Sequence, residues 1–163
     1  MRELSAGMGP LAWRLLGDDE FNAAWDRCSA VPVPGTPLRT WRIPDSFDSR
    51  LPEVQPLLAG FHGAVLRAFR DCLPRGRKMF ALDYHHPSYE FDPHVPFEHD
   101  PRDAGRWPVT VLPEGDDTIY VAHDLSFGTV SAWNPQSITF FGEALLARIE
   151  RERPRLMEGW DIL

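Results

Sequence analysis

Cysteine is scarce in this chain. Cys28 and Cys72 are the only two among 163 residues, so there is no disulfide framework of the kind that staples small secreted domains. Long apolar runs are missing as well. None approaches the roughly 18 residues that a transmembrane helix needs. The opening Met1-Arg2-Glu3-Leu4-Ser5-Ala6-Gly7 lacks the apolar stretch at the centre of a signal peptide. Both absences point to the cytoplasm and away from a membrane. Positive charge is in short supply: lysine and arginine total 17 against 24 aspartates and glutamates, for a net charge of −7. Such a surface repels a phosphate backbone, which argues against nucleic acid as a partner. The cluster Arg75-Gly76-Arg77-Lys78 is too short to reverse this and reads as a solvated turn. The chain also lacks His-Glu-x-x-His, Cys-x-x-Cys, a Gly-x-Ser-x-Gly elbow and a glycine-rich phosphate loop. Gly7-Met8-Gly9 is not flanked by a strand and a helix. No motif implies a cofactor or selects a set of metal ligands.

Proline is plentiful, at 16 residues, and punctuates the chain. Pro32, Pro34, Pro37 and Pro44 mark residues 31–46 as a meandering connection, within which residues 39–43 fit an edge strand. A first helix is predicted over residues 19–30. Asp18 or Asp19 would cap it, and Phe21, Ala24, Trp25 and Cys28 share a face. A second runs over residues 52–73. Val54, Leu58, Phe61, Val65, Phe69 and Cys72 form one apolar stripe, Pro52 sits in the first turn and Pro74 stops it. Gly60 and Gly63 each cost about 1 kcal/mol relative to alanine inside a helix and would permit close packing on a sheet. Strands are predicted at 79–86 and 89–92. Two hairpins follow, 109–112 with 118–123 around Pro113-Glu114-Gly115-Asp116-Asp117, and 127–133 with 136–141. A closing helix over 143–153 turns Leu145, Leu146 and Ile149 inward. There is no repeat and no low-complexity tract, so residues 1–163 read as one domain of the α+β class. It has an about five-stranded meandering antiparallel sheet. Two N-terminal helices and one C-terminal helix pack mainly on one face, leaving the other open.

Titratable and aromatic groups concentrate in one segment, Asp83-Tyr84-His85-His86-Pro87-Ser88-Tyr89-Glu90-Phe91-Asp92-Pro93-His94, with His99 a little beyond. Strand alternation puts Asp83 and His85 on one face, and Tyr84 and His86 on the other with Phe80 and Leu82. A partly buried histidine beside a carboxylate can serve as a base. His86 is the candidate general base, Asp83 or Asp92 its orienter, and Tyr89 a proton donor or anchor, with His94 in the same set. The competing account is structural: His-Pro and Asp-Pro are turn dipeptides, and a histidine at a strand end commonly bonds a backbone group. His85, His86, His94 and His99 with nearby carboxylates also supply enough candidates for a metal site, but their spacing selects no set. Among the six tryptophans, Trp25 reads as core. Trp41, Trp107, Trp133 and Trp160 fall in loops or at element ends. Trp107 and Trp133, with Tyr84, are candidate ligand-lining residues, or they plug the ends of a small core. Cys28 and Cys72 read as buried thiols on helical faces. His123-Asp124 reads as a strand end with a turn-capping aspartate.

Three segments resemble the bacterial family known as domain of unknown function 2716. The first is Phe80-Ala81-Leu82-Asp83 leading into His86-Pro87-x-Tyr89-x-Phe91-Asp92-Pro93-His94. The second is Trp107-Pro108-Val109 with the turn Pro113-Glu114-Gly115-Asp116. The third is Asp124-Leu125-x-Phe127-Gly128-Thr129 running to Phe141-Gly142-Glu143. The resemblance spans roughly residues 18–155 and implies no activity. It also implies a Gly-His-Pro-Trp-Glu-like stretch where this chain has Ser131-Ala132-Trp133-Asn134-Pro135, so a histidine and a glutamate of the pattern are missing. Asp83, His86, Tyr89, Asp92 and His94 are then the residues left to carry a shared site.

Three functions compete. One is a small-ligand pocket running cofactor-independent proton transfer of the isomerase, cyclase or lyase type. Another is an acidic protein-interaction module, such as an immunity or regulatory protein, with a protein as partner. The third is a metal-dependent enzyme using the 85–99 histidines.

Overall fold

A seven-stranded sheet organises the chain in the computed structural model, which describes residues 11–163. Its strands are β1 (Trp13–Leu15), β2 (Leu38–Arg42), β3 (Met79–Asp83), β4 (Tyr89–Phe91), β5 (Thr118–Ala122), β6 (Gly128–Trp133) and β7 (Gln136–Phe141). They lie in the order β1-β4-β3-β5-β6-β7-β2, and every pairing is antiparallel. The helices are α1 (Asp18–Cys28), α2 (Gln55–Cys72) and α3 (Glu143–Glu152). The α+β class and the antiparallel sheet are as expected from the sequence. The strand count is not: there are seven strands rather than about five. β2, between α1 and α2, is the edge strand that residues 39–43 suggested, and β1, before α1, is a strand the sequence did not show; with β2 between them, the two N-terminal helices are not a consecutive pair.

The helices also divide between the two faces of the sheet, against the expectation that they share one. Leu58, Phe61, Val65 and Phe69 of α2 and Leu145 and Ile149 of α3 bury against Met79, Ala81, Phe91, Tyr120 and Phe140. Ala24 and Cys28 of α1 bury on the opposite face against Leu82, Ile119 and Val121, with Phe21, Trp25 and Phe80 packed alongside. Each fully buried large side chain contributes about 1.5–3 kcal/mol, and strand alternation supplies both layers. Cys28 and Cys72 are free and belong to different layers. Gly60 faces solvent, and a Cβ there would meet nothing within 4 Å among the described residues, while Gly63 lies under the Arg102 side chain, so neither glycine serves packing on the sheet. Gly17, rather than Asp18 or Asp19, precedes α1, and its amide donates to the Glu20 carboxylate at 3.2 Å.

Residues 109–112 are not a strand. Val109, Val111 and Leu112 are buried in the α2 layer, where the segment's carbonyls bind side chains instead of a ladder. The Tyr120 hydroxyl donates to the Val109 carbonyl and the Ser131 hydroxyl to the Val111 carbonyl. β5 pairs with β3, Asp83 opposite Thr118, on one side and with β6 on the other.

Two glycines quoted in the sequence motifs have steric reasons to be there. A Cβ on Gly128 would overlap the Tyr120 carbonyl across the β5–β6 pair. Gly142 takes a φ of +96° in the step from β7 to α3, and a Cβ there would lie 2.5 Å from Phe127 Cβ. At the β2 edge the chain's last described residues run alongside the strand: the Arg42 amide donates to Asp161 O at 2.8 Å and the Leu163 amide to Thr40 O at 2.9 Å. Among the described residues no helix is long and apolar enough to cross a membrane. Gly7-Met8-Gly9 lies outside the described residues.

Candidate functional site

β3 ends at Asp83, and the chain bends through Tyr84, His85 and His86 before re-entering the sheet as β4. Ser88 closes this hairpin. Its hydroxyl accepts the Asp83 amide at 2.9 Å and donates to Asp83 O at 3.3 Å. The bend breaks the strand alternation, so His85 and His86 both fold toward acidic groups. His86 Nδ1 lies 3.0 Å from Asp83 Oδ1 and 3.3 Å from Asp116 Oδ2. His85 Nδ1 lies 2.9 Å from Asp116 Oδ1. The His85 amide donates to Asp116 Oδ2 at 2.9 Å and to Asp83 Oδ1 at 3.1 Å. The Asp117 amide adds a bond to Asp116 Oδ1 at 3.0 Å. The carboxylates form a floor, with Asp116 only 7% exposed and Asp83 14%, while the His86 side chain above them is 64% exposed.

Electrostatics separates the two carboxyls. Burial raises the pKa of Asp83, and the neighbouring Asp116 raises it further, against the pull of His86 and the His85 amide. For Asp116 burial works in the same upward direction. The hydrogen bond with Asp83, the His85 amide, the His85 ring and the Asp117 amide outweigh it and bring the group down to about 2. Two carboxyls this close titrate as a pair, with Asp116 the one that ionises first. The hydrogen bond to Asp83 raises the pKa of His86, and the charge of Asp83 adds to the effect. An imidazole held through Nδ1 by a carboxylate presents Nε2 outward, the arrangement of a base or acid with its orienting group. The same three side chains can also hold a cation, since one ligand atom each from Asp83, His86 and Asp116 lie within 4.8 Å of one another.

The other residues singled out in the sequence go elsewhere. Asp92 and His94 follow Phe91, which pairs with Met79 at the far end of β3 from Asp83, about 13 Å away at the rise of a strand. There the Asp92 carboxylate accepts the His94 amide at 3.0 Å, and His94 Nε2 bonds Leu73 O at 2.6 Å. His94 thereby ties its loop to the end of α2, while Asp92 holds the local turn. Tyr89 packs edge-on against Trp13 at 6.3 Å, and among the described residues its hydroxyl makes no hydrogen bond to the Asp83–Asp116 cluster. His99 bonds the neighbouring Asp100 carbonyl. Tyr84 does stay with the cluster, exposed and edge-on to His85 at 4.7 Å and to Trp25 at 5.5 Å. Asp124 caps its turn as expected, accepting the Ser126 amide at 3.0 Å.

A cleft of about 840 Å³ lies across the 113–117 loop from His86 and does not include it. Its walls come from the 45–50 loop, the start of α2, residues 103–107 and the β6–β7 hairpin. Trp107 and Trp133 both line it. Trp107 is also core, and its indole N–H donates to Pro101 O at 2.8 Å. Trp133 is 42% exposed at the rim, and its amide donates to Asp117 Oδ1 at 2.8 Å. Trp133, within the Ser131–Pro135 stretch where the chain departs from the pattern it resembles, thus lines the cleft and bonds the residue next to Asp116.

Two participants were not singled out in the sequence as site residues. Asp116 reads there as part of a turn, and only its place in an acidic Pro-x-Gly-Asp turn hints at more. His62 falls four residues after Leu58 on the apolar stripe of α2. A histidine in that stripe was the available signal.

The profile of a family described as "Protein of unknown function (DUF2716)" matches residues 10–146. An uncharacterised protein of Bacillus subtilis (strain 168), YxiI, is 30% identical over 161 residues, covering 90% of this chain and 98% of that protein. No solved structure matches.

Proposed function

The chain belongs to the DUF2716 family, whose description assigns no activity, and from that premise we propose that it is a cytoplasmic small-ligand protein whose His86 moves protons. The observation that carries this reading is the 3.0 Å contact of His86 Nδ1 with Asp83 Oδ1 above a buried Asp116. Asp83 orients the ring and favours its protonated form. Asp116 keeps the floor negative, and Nε2 is free to give or take a proton from a bound molecule. Tyr84, exposed beside His85, is the ligand-contacting residue of this centre. The chemistry that suits such a centre needs no cofactor: isomerisation, cyclisation or elimination by proton transfer. Tyr89 has no part in it, and neither do Asp92 and His94.

A fragment screen by two-dimensional NMR tests the proposal on the wild-type chain and on His86→Gln. Binders that perturb Tyr84, His85 and His86 and vanish in a folded His86→Gln variant support it. A His86→Gln protein that no longer folds makes the residue structural and overturns it.

A second reading rests on the convergence of Asp83, His86 and Asp116 ligand atoms within 4.8 Å. A hard or borderline divalent cation suits two carboxylates and an imidazole. This reading replaces the wider 85–99 histidine set, since His94 and His99 bond backbone carbonyls elsewhere. Native mass spectrometry of the protein purified without chelator separates the two. A stoichiometric metal that Asp116→Asn loses favours the cation. A metal-free mass together with NMR-detected binders favours the proton-transfer centre.

A further inference from the structure

The cleft across the 113–117 loop has a feature that the core does not need. His62 lines it and is only 2% exposed. Its Nδ1 is 3.0 Å from Leu58 O one turn back on α2, a contact in which the ring nitrogen must be the N–H donor. The tautomer is thereby set: Nε2 is an acceptor and nothing else. That Nε2 is buried and has no hydrogen-bond partner among the described residues. A buried acceptor without a donor is uncommon in a folded chain and calls for an explanation. The ring is also fixed in place, edge-on to Trp107 at 5.0 Å and to Phe61 at 5.5 Å.

The rest of the lining shows what would complete it. Four carboxylates border the cleft, Asp45, Asp48, Asp103 and Glu114, against one cation, Arg50. Arg50 is bound to Asp48 through two contacts, at 3.0 and 3.1 Å, and Asp103 faces Arg106 at 3.5 Å. Asp45 and Glu114 have no cationic partner among the described residues. Phe47 and Trp133 add aromatic surface beside them, which suits a ring and also an ammonium group. At about 840 Å³ the space lies in the range of small-molecule sites.

We propose that this cleft binds a small arylalkylamine, its ammonium group held at the rim by Asp45 and Glu114 and a ring-borne O–H or N–H donating to His62 Nε2 at the floor. An anionic ligand meets unpaired carboxylates and a neutral imidazole, and so is rejected. The site is independent of the His86 centre, which shares none of these residues.

Three probes on the full chain, followed by calorimetry and ligand-observed NMR, separate the elements. Tyramine has both the ammonium and the ring donor, phenethylamine lacks the donor, and 4-hydroxyphenylacetate replaces the ammonium with a carboxylate. Tyramine is expected to bind roughly tenfold more tightly than phenethylamine, since a hydrogen bond to an otherwise unpaired buried group is worth about that factor. 4-Hydroxyphenylacetate is expected not to bind. The Asp45→Asn, Glu114→Gln double variant, altered only at the rim, should weaken tyramine by roughly tenfold or more. In a folded His62→Leu variant, which has no acceptor, tyramine and phenethylamine should bind alike, and equal binding of the two by the wild-type chain would overturn the role of His62. The proposal is overturned if tyramine fails to bind at millimolar concentration, if 4-hydroxyphenylacetate binds as well as tyramine, or if the rim double variant leaves tyramine affinity unchanged.

Discussion

His86 Nδ1 lies 3.0 Å from Asp83 Oδ1, although an unbroken strand would send these two side chains to opposite faces. The contact exists because β3 stops at Asp83 and the chain folds back within three residues. Its consequence is measurable in the titration of one ring. The hydrogen bond to Asp83 raises the His86 pKa in the folded state, so a histidine C–H titration by NMR should place His86 above the ordinary value of about 6.5. Asp83→Asn should bring it back. The linked stabilisation is fully present below the unfolded pKa and is lost as pH rises through the folded one. A His86 titration that Asp83→Asn does not move would mean that the pair does not form in solution.

His62 shifts the other way. Burial lowers its pKa from 6.5 to about 4, against the carbonyl of Leu58 that favours the charged ring. The unfolded chain therefore binds a proton that the native chain refuses. The stabilisation is complete above about pH 6.5 and is lost as pH falls through about 4, on the order of 3 kcal/mol in all. Urea midpoints measured between pH 7 and pH 4.5 should fall accordingly, and His62→Gln should flatten that slope. Asp116, held down to about 2, withdraws its own contribution only below its unfolded value near 3.8, so the two effects occupy separate windows.

Glycine positions offer a contrast of sign. Gly128→Ala forces a methyl into the Tyr120 carbonyl in the middle of the sheet, and should cost about 3 kcal/mol or more. Gly60 is exposed on α2, and an added Cβ there would meet nothing within 4 Å among the described residues, so Gly60→Ala should stabilise by about 0.5–1 kcal/mol. Thermal melts of the two variants beside the wild type check both directions at once.

The buried 109–112 segment hangs on two hydroxyls. Tyr120→Phe and Ser131→Ala each strand a buried carbonyl, of Val109 and Val111 respectively, and each should cost about 1–3 kcal/mol. Amide exchange should then quicken across residues 109–112. If exchange rises uniformly over the whole sheet instead, the two hydroxyls do not anchor that segment in particular.

Much of the fold is legible in the residues. The helical stripes of α2 and α3 and the alternation of β3, β5, β6 and β7 need only the periods of 3.6 and 2. What failed has physical reasons. Val109-Thr110-Val111-Leu112 has strand composition, but its carbonyls found hydroxyl partners across the sheet face, so no ladder formed. An amphipathic helix tells which of its own faces is buried, not which face of the sheet it meets, and α1 therefore went unassigned to the second layer. β1 is three residues long, too short for a periodic signal. At the site, the Asp83–His86 pairing suggested by proximity in sequence is in place. Strand alternation could not foresee it, because the bend at residues 84–86 cancels the period. Asp116 lies 30 residues from His86 and joins it only through the β3–β5 register. Asp92 and His94 looked close to His86 along the chain, yet β4 carries them to the other end of the sheet.

The run of Asp161 to Leu163 alongside β2 bears on how the protein is handled. Digestion that trims past Asp161 would free the Thr40 carbonyl and the Arg42 amide together, leaving a bare strand margin. Such margins recruit one another, and a preparation nicked there should turn cloudy before it loses any helix signal.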